Sequence, residues 1–573
     1  MTGLLPLRRF VLLSLTMLSA CGAADFGKST PSAAAEAVSV SVDEPTGAYL
    51  AGRSALASGD ANTAATLFLK GLALEPDNVD LQNAAFMATL RAGRPEATTL
   101  ATQLPDGVAA QLLLANADAK SGHWTSAERR FAGIVQKGPI QILVPVLVAW
   151  SQYGAGRVDA ALATLLPETE NQRFRGLYAL HAGLIADLAG RTALAGQMYS
   201  IAETGSGGTN AQLARILASW YARNGKSAEA QRAFAPFADN VGSFALVVPN
   251  LYRAAAEVQV HNAAEGLAEG YFALAGALRG QDGNDMTDLL VKLALDLRPD
   301  MTLARLLEAE IMDDAGRSEA ALAVLEPVAD SDPLMPLVQL RQAALYSKMG
   351  KTDKALSVLD QLQKAMPDRP ESYTLRADIL RDAKRFPEAV QAYTDAIARI
   401  SKPSGDNWSL FYERGIAYDQ SKQAEKGEKD FLHALTLAPD QPYVLNYLGY
   451  SWTEQGRNLD RAHKMIERAV ALRPDDAAIV DSLGWLDLKQ GNIKGSVQLL
   501  QRAVELEPTD PTLNEHLGDA YWAAGRKLEA QFQWRRALVF SPEVGDVPKL
   551  EAKLHNSEAV LGNPPATPKP ASP

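Results

Sequence analysis

The chain has 573 residues, 47% of them hydrophobic and 21% charged, with a formal net charge of −11. That length exceeds what a single hydrophobic core serves, so several domains or a repeat array are expected. The acidic balance argues against a nucleic-acid binder, which needs a basic face. The lone cysteine, Cys21, excludes internal disulfides and Cys-based zinc sites.

At the N-terminus, Arg8 and Arg9 are followed by an apolar run over residues 10–18, then by Ser19, Ala20 and Cys21. That order is the order of a secretory signal. The run is roughly half the ~20 residues a membrane-spanning helix needs. The stretch "LSAC" resembles the bacterial lipobox, which implies cleavage before Cys21, a diacylglyceryl group on its thiol and acylation of its amine. An ordinary signal peptide that happens to contain a cysteine is the alternative. Residues 1–20 are thus expected as a lipoprotein signal peptide, and 21–45 as lipidated Cys21 with a flexible tether rich in Ala and Ser. Two or three acyl chains hold firmly, since each buried methylene contributes ~0.8 kcal/mol. Gly22 stands where an Asp favours inner-membrane retention in such lipoproteins, which points to the outer membrane.

Beyond the tether a repeat sets in. Pro439, Pro474, Pro508 and Pro542 fall 35, 34 and 34 residues apart, and Leu448-Gly449, Leu483-Gly484 and Leu517-Gly518 keep the spacing. This is the period and signature of the tetratricopeptide repeat (TPR), two antiparallel helices A and B per unit. Small residues at the eighth and twentieth places let A and B approach. A glycine at the fifteenth ends helix A in a left-handed cap, and proline at the thirty-second closes helix B. The turn glycine recurs at Gly59, Gly93, Gly122, Gly156, Gly190, Gly225, Gly316, Gly350, Gly456, Gly491 and Gly525. About fourteen repeats are predicted, an all-α TPR solenoid with disordered termini. Phe86 replaces the small residue in the second repeat, which reads as degenerate. The phase breaks between Ala218 and Ala275, so the solenoid divides into an N-terminal arm (46–240), an irregular helical break (241–270) with a change of path, and a C-terminal arm (271–542). Residues 543–573, ending "GNPPATPKPASP", are expected to be largely disordered.

No catalytic constellation is found. The seven histidines are scattered without an H-E-x-x-H motif, and no phosphate-binding G-x-x-x-x-G-K-[ST] loop occurs. Neither a catalytic residue nor a metal or cofactor site is expected, and a non-enzyme is predicted. A solenoid acts through its surface. The concave-wall places of the last four repeats hold Tyr412, Ile416 and Asp419; Tyr443, Asn446, Tyr450 and Glu454; Asp481, Trp485 and Lys489; and Glu515, Asp519 and Trp522. Aromatic anchors among carboxylates and amides suit a protein-binding groove. Packing between neighbouring repeats is the alternative use of Tyr450, Trp485 and Trp522. The lysine–asparagine clamp of chaperone-binding TPR domains has no match at Asn446, Tyr450, Asp481 and Trp485.

The stretch from about residue 255 to 540 resembles a widespread family of proteobacterial TPR proteins. The blocks that carry the likeness are "LNYLGYSWTEQGRNLDRAHKMIERAVALRPDDAAIVDSLGW", "LGDAYWAAGRKLEAQFQWRRAL" and "AAEGLAEGYFALAGAL". With the lipobox and the length, the whole chain resembles the lipoprotein adaptors of periplasmic carboxy-terminal processing proteases. The resemblance implies a lipid-anchored scaffold that binds and stimulates a serine protease and presents peptidoglycan hydrolases to it. The alternative is an assembly or secretion factor of an envelope complex, for exopolysaccharide export or outer-membrane protein insertion.

Overall fold

The structure, a computed structural model, describes residues 42–561 except 105–106, 135–137, 171–172, 206–209, 239–242, 281–283, 541 and 543–544. Cys21, the signal segment, nearly all of the tether and residues 562–573 lie outside the described residues. Those described form thirty α-helices. The first twelve make six pairs: α1 (Pro45–Ala57) with α2 (Ala61–Leu74), α3 (Val79–Arg91) with α4 (Glu96–Ala101), α5 (Val108–Lys120) with α6 (Trp124–Ala132), α7 (Ile140–Gly154) with α8 (Val158–Leu165), α9 (Arg175–Leu188) with α10 (Thr192–Gly205), and α11 (Ala211–Arg223) with α12 (Ser227–Ala238). A 3-10 turn at Ser243–Leu246 and the short α13 (Val248–Arg253) come next.

Eight more pairs follow. They are α14 (Ala263–Leu278) with α15 (Asn284–Leu297), α16 (Thr302–Asp314) with α17 (Ser318–Leu325), α18 (Met335–Lys348) with α19 (Thr352–Ala365), α20 (Pro370–Asp382) with α21 (Phe386–Ile397), α22 (Trp408–Gln420) with α23 (Ala424–Leu437), α24 (Pro442–Glu454) with α25 (Leu459–Leu472), α26 (Ala477–Gln490) with α27 (Ile493–Leu506), and α28 (Pro511–Ala523) with α29 (Lys527–Val539). α30 (Val547–Leu561) closes the described chain. Fourteen helix pairs are therefore present, and the all-α solenoid is the fold.

Local chemistry accounts for the pairs. A Cβ at Gly449 would stand 2.6 Å from Ile466 Cγ1, and one at Gly484 would stand 2.7 Å from Leu500 Cγ, so only glycine lets those A and B helices close. All eleven turn glycines named above have positive φ. Two repeats lack the glycine and force Lys384 (φ 58°) and Lys422 (φ 62°) into the same left-handed turn. The degenerate second repeat carries the shortened B helix α4, six residues long. Asp476 and Asp510 cap α26 and α28 by accepting from the Ile479 and Leu513 amides at 3.3 and 2.9 Å.

Two boundaries differ from the expected ones. The irregular break ends at Asn262, not at residue 270, because the Asn262 side chain accepts from the Glu265 amide at 3.0 Å and starts α14 there. The tail is not disordered throughout: Val547–Leu561 is helical. Buried Leu550 and half-buried Leu554 join the core of the last repeat, whose exposed face needs such a cover.

The path across the break is a reversal. α14 does not continue the stack on α12; it lies across the concave wall of the first arm, against α5, α7 and α9, while α15 meets α3 and α5. Tyr271 of α14 donates its hydroxyl hydrogen to Asn116 Oδ1 at 3.0 Å, and Asn116 Nδ2 donates to the Leu293 carbonyl of α15 at 3.3 Å. Gly266 lies on the Trp150 indole, and Gly270 on Val146 and Leu143. Buried Glu269 accepts from Gln212 of α11 at 2.6 and 2.7 Å and pairs with Arg298 at 2.9 Å. At the rim Lys120 pairs with Asp296 at 2.8 Å and Arg91 with Asp285 at 2.6 Å. One continuous core accordingly runs from Ala64 to Leu334. The groove of the first arm is filled by its own chain.

Candidate functional site

The second arm keeps an accessible wall, built from its A helices. At its near end a cleft of about 760 Å³ is floored by α16, α18, α20 and the start of α22, and the 3-10 turn contributes Ser243 and Ala245 to its rim. Leu246 of that turn is buried with Leu340 and Ala343 of α18, so the inter-arm linker is seated on the wall. Within the cleft Asp378 accepts from the Tyr393 hydroxyl at 2.6 Å. Burial pushes its carboxyl up to about 6, against that bond and the pull of Arg381. Arg381 is engaged by Glu413 of α22 and by Asp382 at 2.9 Å.

Further along, the residues singled out from the sequence separate into three groups. Tyr412 belongs to the core: its ring packs 5.9 Å from Phe431 and meets Tyr447 edge-on at 6.0 Å, and burial raises its phenol pKa. Tyr443 is half-buried, with the Arg473 guanidinium 5.7 Å from its ring.

Tyr450, Asp481, Trp485 and Glu515 come together on α24, α26 and α28. Trp485 donates its indole hydrogen to Glu454 Oε1 at 2.6 Å, stacks on His516 at 4.1 Å and 16°, and carries the Lys489 ammonium 4.5 Å from its ring. Asp481 is 5% exposed; its Oδ2 is 2.8 Å from His516 Nδ1, and its Oδ1 has no hydrogen-bond partner. Asn446 Oδ1 is likewise shielded and unpartnered. Burial raises the Tyr450 phenol pKa, and the charges of Glu454, Asp481 and Glu515 raise it further. Burial opposes the imidazolium form of His516, yet Asp481, Asp519 and Glu515 outweigh it and hold its pKa up. Trp485 thus packs against the repeats on either side of its own while staying half-exposed on the wall.

At the far end the carboxylates are already engaged. Lys553 of α30 donates to Glu515 Oε1 at 2.6 Å and to Asp519 at 2.8 and 2.7 Å. Asp519 also accepts from the Trp534 indole at 2.9 Å. Trp522 rests 5.5 Å from Trp534 with Lys527 4.9 Å from its ring. Sequence reasoning missed two participants, His516 and Lys553. The first is masked by its neighbour Glu515 in the wall pattern, and the second lies in the presumed tail.

Three stretches match models of one repeat class: residues 219–408 a tetratricopeptide repeat-like domain, 409–441 a tetratricopeptide repeat and 484–525 a TPR repeat. The chain is thereby a TPR repeat protein. A TPR repeat-containing protein of Pseudomonas aeruginosa is 30% identical over 163 residues, 28% of this chain and 27% of that relative, so the aligned stretch spans about a quarter of either. Among solved structures, the yeast Tom70 aligns over 79% of this chain and 96% of its own at 12% identity and a TM-score of 0.36. The Cut9 and Hcn1 hetero-tetramer structure of the anaphase-promoting complex aligns over 90% and 96% at 14% identity and 0.37. A tetratricopeptide repeat protein from Parabacteroides merdae aligns over 45% and 98% at 14% identity and 0.36.

Proposed function

We propose that this protein is a non-catalytic scaffold, lipid-anchored through Cys21 at the periplasmic face of the bacterial envelope, the outer membrane in particular, which holds a protein partner on the concave wall of its second arm. The observation that carries the reading is the contrast between the two walls. The first arm's groove is filled by α14 and α15, while the second presents half-exposed Tyr450, Trp485 and Trp522 among carboxylates. Half-buried aromatics with polar neighbours are what protein-binding hot spots are made of. The lipobox-like "LSAC" supports the anchor, and a tethered wall raises the effective concentration of its partner near the membrane. The resemblance to protease adaptors supports a carboxy-terminal processing protease as the partner, recruited and activated towards peptidoglycan hydrolases.

Crosslinked capture with the full-length lipidated protein from the envelope tests this. Recovery of a periplasmic serine protease, lost with Trp485→Ala plus Trp522→Ala while helical content is kept, is the expected outcome. Recovery of an export or insertion complex instead overturns the protease assignment. Capture indifferent to both substitutions overturns the groove. Cys21→Ala is expected to move the protein from the membrane to the soluble fraction.

A further inference from the structure

We propose that the stretch of wall formed by α24, α26 and α28 selects a partner segment bearing lysine or arginine side chains, and that Lys553 of α30 is an intramolecular occupant of its far end. This rests on the scaffold reading above and adds the chemistry of the partner.

The three A helices carry the carboxylates Glu454, Asp481, Asp487, Glu515 and Asp519 against a single lysine, Lys489. Asp487 turns away to Asn492 and His463, within its own repeat and the one before. The other four stand at wall places, with Lys489 already over Trp485 and His516 against Asp481, which leaves the carboxylates in excess. An acidic partner segment would meet like charge here, which selects against it.

Lys553 shows how the wall receives a cation. Its ammonium is held by three carboxylate oxygens from two residues, Glu515 and Asp519, at 2.6 to 2.8 Å, the range of charge-assisted hydrogen bonds. The helix that brings it, α30, packs on α29 beyond the last repeat.

One repeat earlier the same recognition is left unfinished. Asp481 Oδ1 and Asn446 Oδ1 are shielded acceptors without donors. Such groups are costly unless something supplies the hydrogen bond. Glu454 beside them is exposed. Tyr450, one helical turn from Asn446 on α24, adds a ring of the kind that attracts cations, whereas the Trp485 ring is already met by His516 and Lys489. Lysine or arginine side chains on a helix or strand laid along the wall would supply the missing donors and charge.

The full-length protein and two short peptides, one alternating Lys with Ala and one alternating Glu with Ala, provide the test by calorimetric titration at low and high salt. The Lys peptide is expected to bind, more weakly in high salt, and the Glu peptide not to bind. Glu454→Gln and Asp481→Asn are each expected to weaken binding about fivefold or more. Asp460→Asn, on the exposed face of α25, is expected to leave it unchanged. Lys553→Ala, which vacates Glu515 and Asp519, is expected to tighten it. Equal binding of the two peptides, or a Lys-peptide affinity that Glu454→Gln and Asp481→Asn leave unchanged, overturns the proposal. The scaffold reading is read out separately. Envelope capture lost with the tryptophan pair but untouched by Glu454→Gln and Asp481→Asn retains the groove and rejects its cation preference.

Discussion

Trp150 of α7 donates its indole hydrogen to His181 Nδ1 of α9 at 2.9 Å, and its ring lies so close to Gly266 of α14 that no side chain fits between. This contact seats the second arm in the groove of the first. Gly266→Val is expected to unseat α14, with an overpacking cost of about 1–3 kcal/mol. Faster amide exchange in α14 and α7, with α24 to α28 unchanged, is the measurement that checks it.

The same pair makes the seam sensitive to acid. His181 is fully buried, and burial holds its pKa down to about 3 from an ordinary 6.5. The unfolded chain therefore takes up a proton at His181 before the folded one does. Stability from this group is complete above pH 6.5 and falls as pH drops from there towards 3, by on the order of 1 kcal/mol per unit. His181→Gln is expected to flatten the pH dependence of thermal unfolding between pH 6.5 and 4.5.

Glu269 is the charge at the centre of the inter-arm core. Burial pushes its carboxyl pKa up, while Arg298 and Gln212 pull it down. Arg298→Met removes the paired cation and leaves Arg215 as the remaining one, an expected loss of up to about 3–5 kcal/mol. Adding Glu269→Gln is expected to recover much of that loss, which urea unfolding of the single and double variants measures.

Lys384 and Lys422 hold left-handed turns where most repeats use glycine. Lys384→Gly and Lys422→Gly are each expected to stabilise their repeat by about 1 kcal/mol, the cost an L-residue bears in that conformation. A rise in the unfolding temperature of each variant is the expected outcome, and a fall counts against it.

Much of the fold was legible in the chain because TPR packing is local. Gly449 needs to know only of Ile466, and Gly491 only of its own turn. Repeat number, helix pairing and the small-residue places all follow from contacts made within one unit. The candidate site was legible in part. Wall places pointed to Tyr450, Asp481 and Trp485, which do meet, and equally to Tyr412, whose ring the core absorbs. Lys553 was out of reach, since α30 stands beyond the last repeat and outside the 34-residue period that marks the wall places.

The sequence by itself determined the period, the small residues that close each helix pair, the left-handed turns and the point where the phase fails. What the failed phase means was decided by tertiary structure alone. Tyr271 and Asn116 are 155 residues apart, and nothing local says that they touch. A helix pair buries apolar surface equally well against the next repeat or across an earlier groove. Shape and charge over the whole first arm, with Gly266 on Trp150 and Glu269 between Gln212 and Arg298, select the second course. That choice closes one wall and leaves the other accessible.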